Sequence, residues 1–178
     1  MATALVQMDP VEQQMSFEQA VLPHLDAAYN LARWLTRNNQ DAEDVVQEAY
    51  LRAFRFFDGF RGGDGRAWLL AVVRNTCLTW LRQQGRKETI EFDERMHGGE
   101  GTEPTPETVL LRQATLGSVK DCLEALPLEY REAFVLRELE DMSYKEISEV
   151  AGVPIGTVMS RLSRARKRLQ SCLGGKRQ

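Results

Sequence analysis

The sequence is poor in the residues from which metal centres and disulfide scaffolds are built. Its 178 residues include three cysteines and two histidines. The cysteines are widely spaced, no two of them form a C-x-x-C pair, and both histidines are isolated, so neither a zinc site nor any other cofactor is expected. Three scattered cysteines fit free thiols in a reducing cytoplasm.

Long apolar runs are also missing. The longest, AWLLAVV, lies between Arg66 and Arg74, whereas a helix that spans a membrane needs about 20 apolar residues. The amino-terminal stretch lacks the basic start and the apolar run of a secretory signal. We therefore expect a cytoplasmic protein that is not itself in the membrane.

Patterns typical of catalysis are absent as well. The sequence shows no nucleophile with a histidine partner and no paired carboxylates at a recognisable spacing, so neither enzymatic activity nor a small-molecule substrate is expected. The glycine-rich stretch GFRGGDG, residues 59–65, lacks the Gly-Lys-Ser/Thr of a phosphate-binding loop. We interpret it as a turn between two helices.

Charge is present but unevenly distributed. The chain carries a net charge of −3, yet residues 154–178 contain seven lysines and arginines and no acidic residue. The remainder therefore carries about −10, and such a separation favours two different partners over one uniform surface.

Apolar residues recur at helical spacing in two blocks, without a strand pattern or an internal repeat. In the first block a second helix follows the turn TRNNQ, with Asp41 as the expected N-cap. Its apolar stripe includes Val45, Ala49 and Phe54, and is expected to be buried. A third helix is expected from about Arg66 to Gln84.

The segment between the two blocks has a different composition. Residues 88–107 contain seven acidic residues, two prolines and several glycines, with no sustained periodicity, which is typical of a flexible linker. The predicted fold is therefore all-α, with two small helical domains joined by a flexible acidic linker. The expected boundaries are a disordered tail at 1–15, the first domain at 16–87, the linker at 88–112, the second domain at 113–173 and a tail at 174–178.

The second block contains a helix-turn-helix pattern. Ser143 and Glu146 are spaced as a capping box, the helix that they open ends at Ala151-Gly152, and Pro154 suits the first turn of the next helix. A short helix, a glycine turn and a longer helix form the helix-turn-helix layout. An inner stripe is expected to pack on the preceding helices: Ile155, Val158, Leu162, Ala165 and Leu169.

The outer face of this last helix is basic and rich in hydroxyl groups. Arginine pairs with guanine in the major groove, while Lys167 and Arg168 lie further along and suit phosphates. The alternative is a solvated basic helix end, which the helix dipole favours. The capping box, the turn and the separate apolar stripe together favour DNA binding. The predicted DNA contacts are Thr157, Met159, Ser160, Arg161, Arg164, Lys167 and Arg168.

Two further surfaces are predicted in the first block. Leu51 is an apolar residue among charged neighbours on the exposed side of the second helix, which indicates a protein contact; the alternative is an ordinary solvated face. The third helix carries a polar and basic stripe, away from its tryptophans, that suits single-stranded DNA. The stripe comprises Ala71, Arg74, Asn75, Leu78 and Arg82.

Both blocks resemble one known family. The segment from DAEDVVQEAYLRAFRFF to VVRNTCLTWLR is similar to region 2 of the extracytoplasmic-function sigma factors of the sigma-70 family. The segment from LEALPLEYREAFVLRELE to SRLSRARKRL is similar to region 4 of the same family. The two matches occur in the family's order and are separated by a short linker.

The resemblance implies a subunit that binds core RNA polymerase and directs it to promoter DNA. Region 2 would contact the clamp coiled coil of the polymerase and recognise and melt the −10 element, where Asn75 would help to read a flipped base. Region 4 would read the −35 element, and the acidic linker would run toward the RNA exit path. The flap is the second implied contact on the polymerase. The implied polymerase contacts are Asp44, Gln47, Glu48, Leu51, Arg52 and Arg55. The implied −10 contacts are Arg74, Asn75, Leu78 and Arg82.

The chain departs from the family pattern at Met159, where many members have a basic residue, so an apolar contact to a thymine methyl is expected there. The family also implies an anti-sigma partner that covers both domains. The alternative to a sigma factor is a stand-alone helix-turn-helix regulator whose amino-terminal domain dimerises or senses a signal.

Overall fold

A computed structural model describes residues 17–91 and 119–175. Both described ranges are helical and neither contains a strand, so the predicted all-α fold is confirmed. Six helices are labelled here: α1 (Leu25–Thr36), α2 (Asn39–Arg55), α3 (Gly65–Glu91), α4 (Leu128–Phe134), α5 (Tyr144–Ala151) and α6 (Ile155–Gly175). Shorter pieces are helical segments at 17–21 and 119–124, 3-10 turns at Leu22–His24 and Phe57–Gly59, and a π-helical turn at Val135–Leu139.

Two helices are longer than the sequence pattern indicates. Helix α3 continues to Glu91, past the expected end at Gln84, and α6 continues to Gly175. The extra residues, 85–91, include arginine, lysine and glutamate, which are good helix formers even where no apolar stripe requires a helix. The rest of the predicted linker and the predicted amino-terminal tail lie outside the described residues, as do residues 176–178.

Helices α1, α2 and α3 pack against one another and form the first domain. Leu31, Leu35, Val45 and Leu69 are almost completely buried between them. The expected cap of α2 is wrong by one turn: the Asn38 side chain caps the helix and accepts a hydrogen bond from the Asp41 amide at 3.1 Å. Asparagine is among the strongest N-cap residues, so the helix begins at the earlier of the two candidates.

The glycine-rich stretch is the inter-helix turn that the sequence predicts. The Asp64 carboxylate accepts hydrogen bonds from the amides of Arg66 and Ala67, which starts α3. At Gly65 the backbone lies against the preceding helical segment, and a Cβ atom there would be 2.4 Å from the Ala20 carbonyl oxygen. Glycine at this position lets α3 begin next to the segment at 17–21.

The second domain contains the predicted helix-turn-helix. The Ser143 hydroxyl accepts from the Glu146 amide at 3.2 Å, and the Glu146 carboxylate accepts from the Ser143 amide at 2.6 Å. Gly152 ends α5 with φ = 64°, a left-handed conformation that glycine adopts without strain. The capping box and the turn are therefore confirmed. Ile147 and Val150 of α5 share a buried core with Val158 and Leu162 of α6.

The two domains pack directly against each other. Helix α3 contacts α5, α1 contacts α4, and one continuous hydrophobic core contains residues of both domains. The Arg66 guanidinium also donates to the backbone carbonyl and to the carboxylate of Glu140, at 2.6 and 2.9 Å. The structure thus describes the molecule in a closed arrangement.

The expectation of free thiols is wrong for two of the three cysteines. Cys122 in the segment 119–124 forms a disulfide with Cys172 near the end of α6, and Cys77 is free and buried. The paired cysteines are 50 positions apart in the sequence, so the packing of the second domain is what brings them together.

Candidate nucleic-acid and polymerase interfaces

Helix α6 presents its polar residues to solvent along the face opposite its core. The core side consists of Val158, Leu162, Ala165 and Leu169, all buried. Ser160, Arg164, Lys167 and Arg168 are exposed, while Thr157 and Arg161 are half-buried. The predicted DNA contacts therefore share one side of the helix.

Ile155 does not belong to the inner stripe, as the sequence pattern suggests. It is 45% exposed, because it is the first residue of α6 and precedes the part that reaches the core. Met159, one turn further on, is 53% exposed. These two side chains give the start of α6 an apolar edge beside the polar residues that are predicted to contact DNA.

Two arginines of α6 are positioned by an aromatic ring on α4. The Arg164 guanidinium donates to the Tyr130 hydroxyl at 3.4 Å, and the Arg168 guanidinium lies 5.4 Å from the centre of the same ring. Arg166 points elsewhere and donates to Glu138 at 2.7 Å. Tyr130 thus orders two basic side chains of the predicted DNA-binding face while leaving both exposed.

The stripe on α3 that is predicted to bind single-stranded DNA is only partly exposed to solvent. Asn75 and Arg82 are exposed, whereas Leu78 is half-buried. Arg74 is directed away from solvent, and its guanidinium donates to the Glu132 carboxylate on α4. It also contacts the Asn75 side chain at 3.4 Å.

Glu132 connects the two predicted DNA surfaces. Its side chain is 3% exposed and forms ion pairs with Arg74 on α3 and with Arg161 on α6, the latter at 3.8 Å. Burial raises the pKa of Glu132, although the two arginines oppose this shift. The carboxylate is therefore kept in the interior at a cost, since desolvation offsets much of the attraction between the charges.

Helix α2 has a mixed apolar and charged face that no described residue covers. Asp44, Gln47, Glu48 and Arg55 are exposed, and Leu51 is 56% exposed. The Arg52 guanidinium donates to the Glu48 carboxylate at 2.7 Å, and an exposed pair of this kind contributes little to stability.

An aromatic residue extends this face, although the sequence pattern assigns it to the core. Phe54 is 55% exposed, because α2 packs mainly against α1 and α3, which together cover a narrower arc of the helix than its apolar stripe. The Phe54 ring meets Phe17 edge-on at 5.3 Å. With Gln47, Tyr50, Leu51 and Phe54, Phe17 lines an open cleft of about 450 Å³. We call Leu51, Phe54 and this cleft the apolar patch of α2.

Comparisons with known proteins agree on one family. The family model described as Sigma-70 region 2 matches residues 20–87, and the model described as Sigma-70, region 4 matches residues 116–169. The ECF RNA polymerase sigma-E factor of Haemophilus influenzae is 36% identical over 149 residues, which cover 79% of this chain and 78% of that protein. The chain belongs to the extracytoplasmic-function (ECF) sigma factors.

Other relatives and solved structures support this assignment. The ECF RNA polymerase sigma factor SigE of Mycolicibacterium smegmatis is 34% identical over 89% of this chain, which spans 62% of that longer protein. The structure of the sigma factor RpoE in complex with the anti-sigma factor NepR from Bartonella quintana superposes with a TM-score of 0.72, at 30% identity, over 89% of this chain and 97% of that one. CnrH in complex with the cytosolic domain of CnrY gives a TM-score of 0.63 at 26% identity, over 91% and 90%.

The resemblance to ECF sigma factors is thereby confirmed, and the alternative of a stand-alone regulator is not favoured. The first domain is region 2 and the second is region 4. The roles of individual residues at the polymerase and at the two promoter elements stay predictions. Within the described ranges, no helix could span a bilayer and no cluster of three or more potential metal ligands is present.

Sequence reasoning missed the charged residues that join region 2 to region 4. Arg131 on α4 is 2% exposed and donates to the carbonyls of Glu124 and Leu126 at 2.9 Å and to that of Leu35 in region 2 at 3.5 Å. Desolvation, together with nearby Arg37, lowers the pKa of Arg131 to about 10. Charged residues usually lie at the surface, so nothing in the local pattern indicates that Arg131 and Glu132 are buried.

Proposed function

We propose that this ECF sigma factor binds core RNA polymerase through α2, reads the −35 element through α6 and holds the melted −10 element against α3. It acts as a binding subunit rather than as an enzyme, and it works in the cytoplasm, where the polymerase is. The observation that carries this proposal is the apolar patch of α2, because it offers a protein partner an exposed apolar contact on the part of the chain that matches Sigma-70 region 2.

The apolar patch suits a helical partner such as the clamp coiled coil of the polymerase. Leu51 and Phe54 offer apolar contact next to an open cleft, and Asp44, Glu48 and Arg55 surround them with charges of both signs. An exposed apolar centre with a polar rim is the usual anatomy of a protein–protein interface. The affinity comes from the apolar centre and the register from the charges.

Helix α6 suits the major groove at the −35 element. Thr157, Ser160, Arg161 and Arg164 lie in its first three turns, where the recognition helix of this motif reaches base edges. Arg161 and Arg164 pair with guanines, while Lys167 and Arg168 contact phosphates and set the register. The exposed Met159 suits a thymine methyl.

Helix α3 suits the non-template strand at the −10 element. Asn75 is exposed and offers an amide that can read the edge of a flipped base. Arg82 lies about two turns further along the helix and is available for the backbone. Arg74 is the remaining cation of this stripe. It has to break its ion pair with Glu132 before it can contact DNA.

In the closed arrangement, promoter DNA has to compete with Glu132. One carboxylate neutralises Arg74 of the −10 surface and Arg161 of the −35 surface. Because Glu132 is buried at a cost, DNA phosphates and bases can replace it as partners of both arginines. Free protein is therefore expected to bind promoter duplex poorly, and binding to the polymerase is expected to separate the two surfaces.

An anti-sigma partner fits the same surfaces. RpoE of Bartonella quintana forms a complex with the anti-sigma factor NepR and has the same fold. We propose a partner of this kind for the present chain, covering both the apolar patch of α2 and the region 4 face.

Reconstitution with core RNA polymerase tests the proposal. We expect the chain to co-elute with core and to support initiation on genomic promoter fragments, but to protect little DNA alone. If it footprints DNA by itself and neither binds core nor supports initiation, the chain is a stand-alone regulator and the proposal is wrong.

A further inference from the structure

The disulfide of region 4 lies at a place where it can be made and broken. Its two Cα atoms are 5.9 Å apart, within the range of ordinary disulfides. Cys122 is 2% exposed, whereas Cys172 is half-buried and therefore partly reachable from solvent. The two sulfurs thus differ in access.

A cleft leads to this pair. It is lined by Cys122, Cys172 and Ser171 and by two cations, Lys167 and Arg168. None of the described residues that line the cleft is acidic, so it attracts small anionic molecules.

The third cysteine provides an internal control. Cys77 is completely buried in region 2, and desolvation raises the pKa of its thiol to about 12. Since the thiolate is the reactive form, Cys77 is expected to stay reduced under conditions that oxidise the other two.

We propose that Cys122 and Cys172 form a reversible thiol–disulfide site that reacts with anionic low-molecular-weight disulfides and braces the helix-turn-helix when oxidised. The Cys172 thiolate attacks the small disulfide, forms a mixed disulfide and releases one small thiolate. Cys122 then attacks the Cys172 sulfur and releases the second small thiolate. Two electrons pass from the protein to the small disulfide, and the two protons of the cysteines appear on the released thiols.

The cross-link is placed to stabilise the DNA-reading part of region 4. It closes a loop with a sequence separation of 50 residues that contains α4, α5 and most of α6. Closing a long loop restricts the unfolded chain. The sulfurs also belong to the small core in which Leu126, Leu169 and Tyr130 pack, and Tyr130 holds Arg164 and Arg168.

Intact-mass analysis of the full chain tests the chemistry without reference to transcription. Reduced protein is incubated with oxidised glutathione, denatured and alkylated. We expect wild type to lose two of its three alkylation sites, leaving Cys77 modified. Cys122→Ser should retain glutathione on Cys172, whereas Cys172→Ser should acquire none. Three alkylated cysteines in the wild type, or glutathione on Cys77, would overturn the proposal.

Thermal unfolding of wild type tests the bracing and needs no variant. The oxidised chain should melt about 5–15 °C above the same chain kept in a reductant. Cys77→Ser is the matched control and should show the same difference between the two redox states. An unchanged melting temperature on oxidation would show that the cross-link does not brace region 4.

Discussion

Region 2 and region 4 each carry a surface that we propose for a partner, but the two surfaces expose residues of opposite character. Region 2 leaves apolar side chains uncovered on α2, where Leu51 and Phe54 are each more than half exposed. Region 4 exposes charge on α6, where the large apolar side chains are buried along most of the described helix and Ile155 and Met159 are exposed at its start.

This difference matches the kind of surface that replaces water when each partner binds. A protein partner replaces water with apolar surface, so exposed leucine and phenylalanine gain free energy when it binds. DNA replaces water with phosphates and base edges, which reward cations and hydrogen-bond donors. An α-helix can therefore suit either kind of partner. Which one it suits depends on the residues outside its buried apolar stripe.

The largest effect is expected at the apolar patch. Leu51→Asp places a carboxylate at the centre of the proposed polymerase contact, which is expected to weaken core binding by more than about 3 kcal/mol, as at interface hot spots. Leu51 is exposed, so the fold should be unchanged. Co-elution with core polymerase and circular dichroism measure the two quantities.

The matched control is Leu25→Asp, since Leu25 is 43% exposed in region 2 but does not line the cleft. It should leave core binding unchanged. Equal losses for both variants would mean that the apolar patch is not a specific contact.

A smaller loss is expected on α6. Arg164→Ala removes a proposed guanine contact and should weaken binding of the holoenzyme to its −35 element by about 1–3 kcal/mol while relaxing the sequence preference. Competition between promoter variants of known sequence measures both effects.

Arg166→Ala is the control for charge, because Arg166 lies on the same helix but is paired with Glu138. It should weaken binding less and without altering sequence preference. If Arg164→Ala weakens all sequences equally, Arg164 contacts phosphate rather than a base.

In both regions the helices and their buried faces can be predicted from the sequence. Periodic apolar spacing predicts the helices and the face of each one that is buried, because burial of a stripe is what selects a helix. The capping box predicts the start of α5, since Ser143 and Glu146 satisfy each other locally. The motifs of both regions predict which faces meet a partner.

Long-range pairings are not encoded in any local pattern. From the sequence alone, Glu132 resembles a surface residue, because its partners lie on α3 and α6. Cys122 resembles an isolated thiol, because its partner lies near the end of α6. The predicted burial of Phe54 and Ile155 is wrong for a different reason. Phe54 lies at the edge of an apolar stripe and Ile155 at the end of one, where the extent of contact with neighbouring helices determines exposure.

The junction between the regions provides a third, weaker effect. Glu132→Gln removes the carboxylate that competes with DNA for Arg74 and Arg161, so the isolated chain should bind promoter duplex about 3–10-fold more tightly. The gain is modest, since burial already offsets much of the attraction between Glu132 and the arginines. Fluorescence anisotropy with labelled duplex measures it.

Glu129→Gln controls for the change in net charge, because Glu129 is an exposed glutamate on the same helix. If both variants raise affinity equally, the effect is general electrostatics and Glu132 has no special role at the two DNA surfaces.

The smallest expected effect is a difference in pH dependence between the buried Glu132 and Glu146 of the capping box. Burial raises the pKa of Glu132, so its contribution to the free energy of unfolding is present below the usual glutamate pKa and is lost as pH rises through the raised value. Hydrogen bonds with Ser143 lower the pKa of Glu146, so its contribution is present above the usual glutamate pKa and is lost as pH falls through the lowered value.

Urea unfolding of wild type, Glu132→Gln and Glu146→Gln from about pH 3 to about pH 7 tests these signs. As pH rises, the stability of wild type relative to Glu132→Gln should fall, while its stability relative to Glu146→Gln should rise. Slopes of the same sign would mean that Glu132 does not remain buried in solution. In that case the two regions separate without help from the polymerase, and Arg74 and Arg161 are already free to meet DNA.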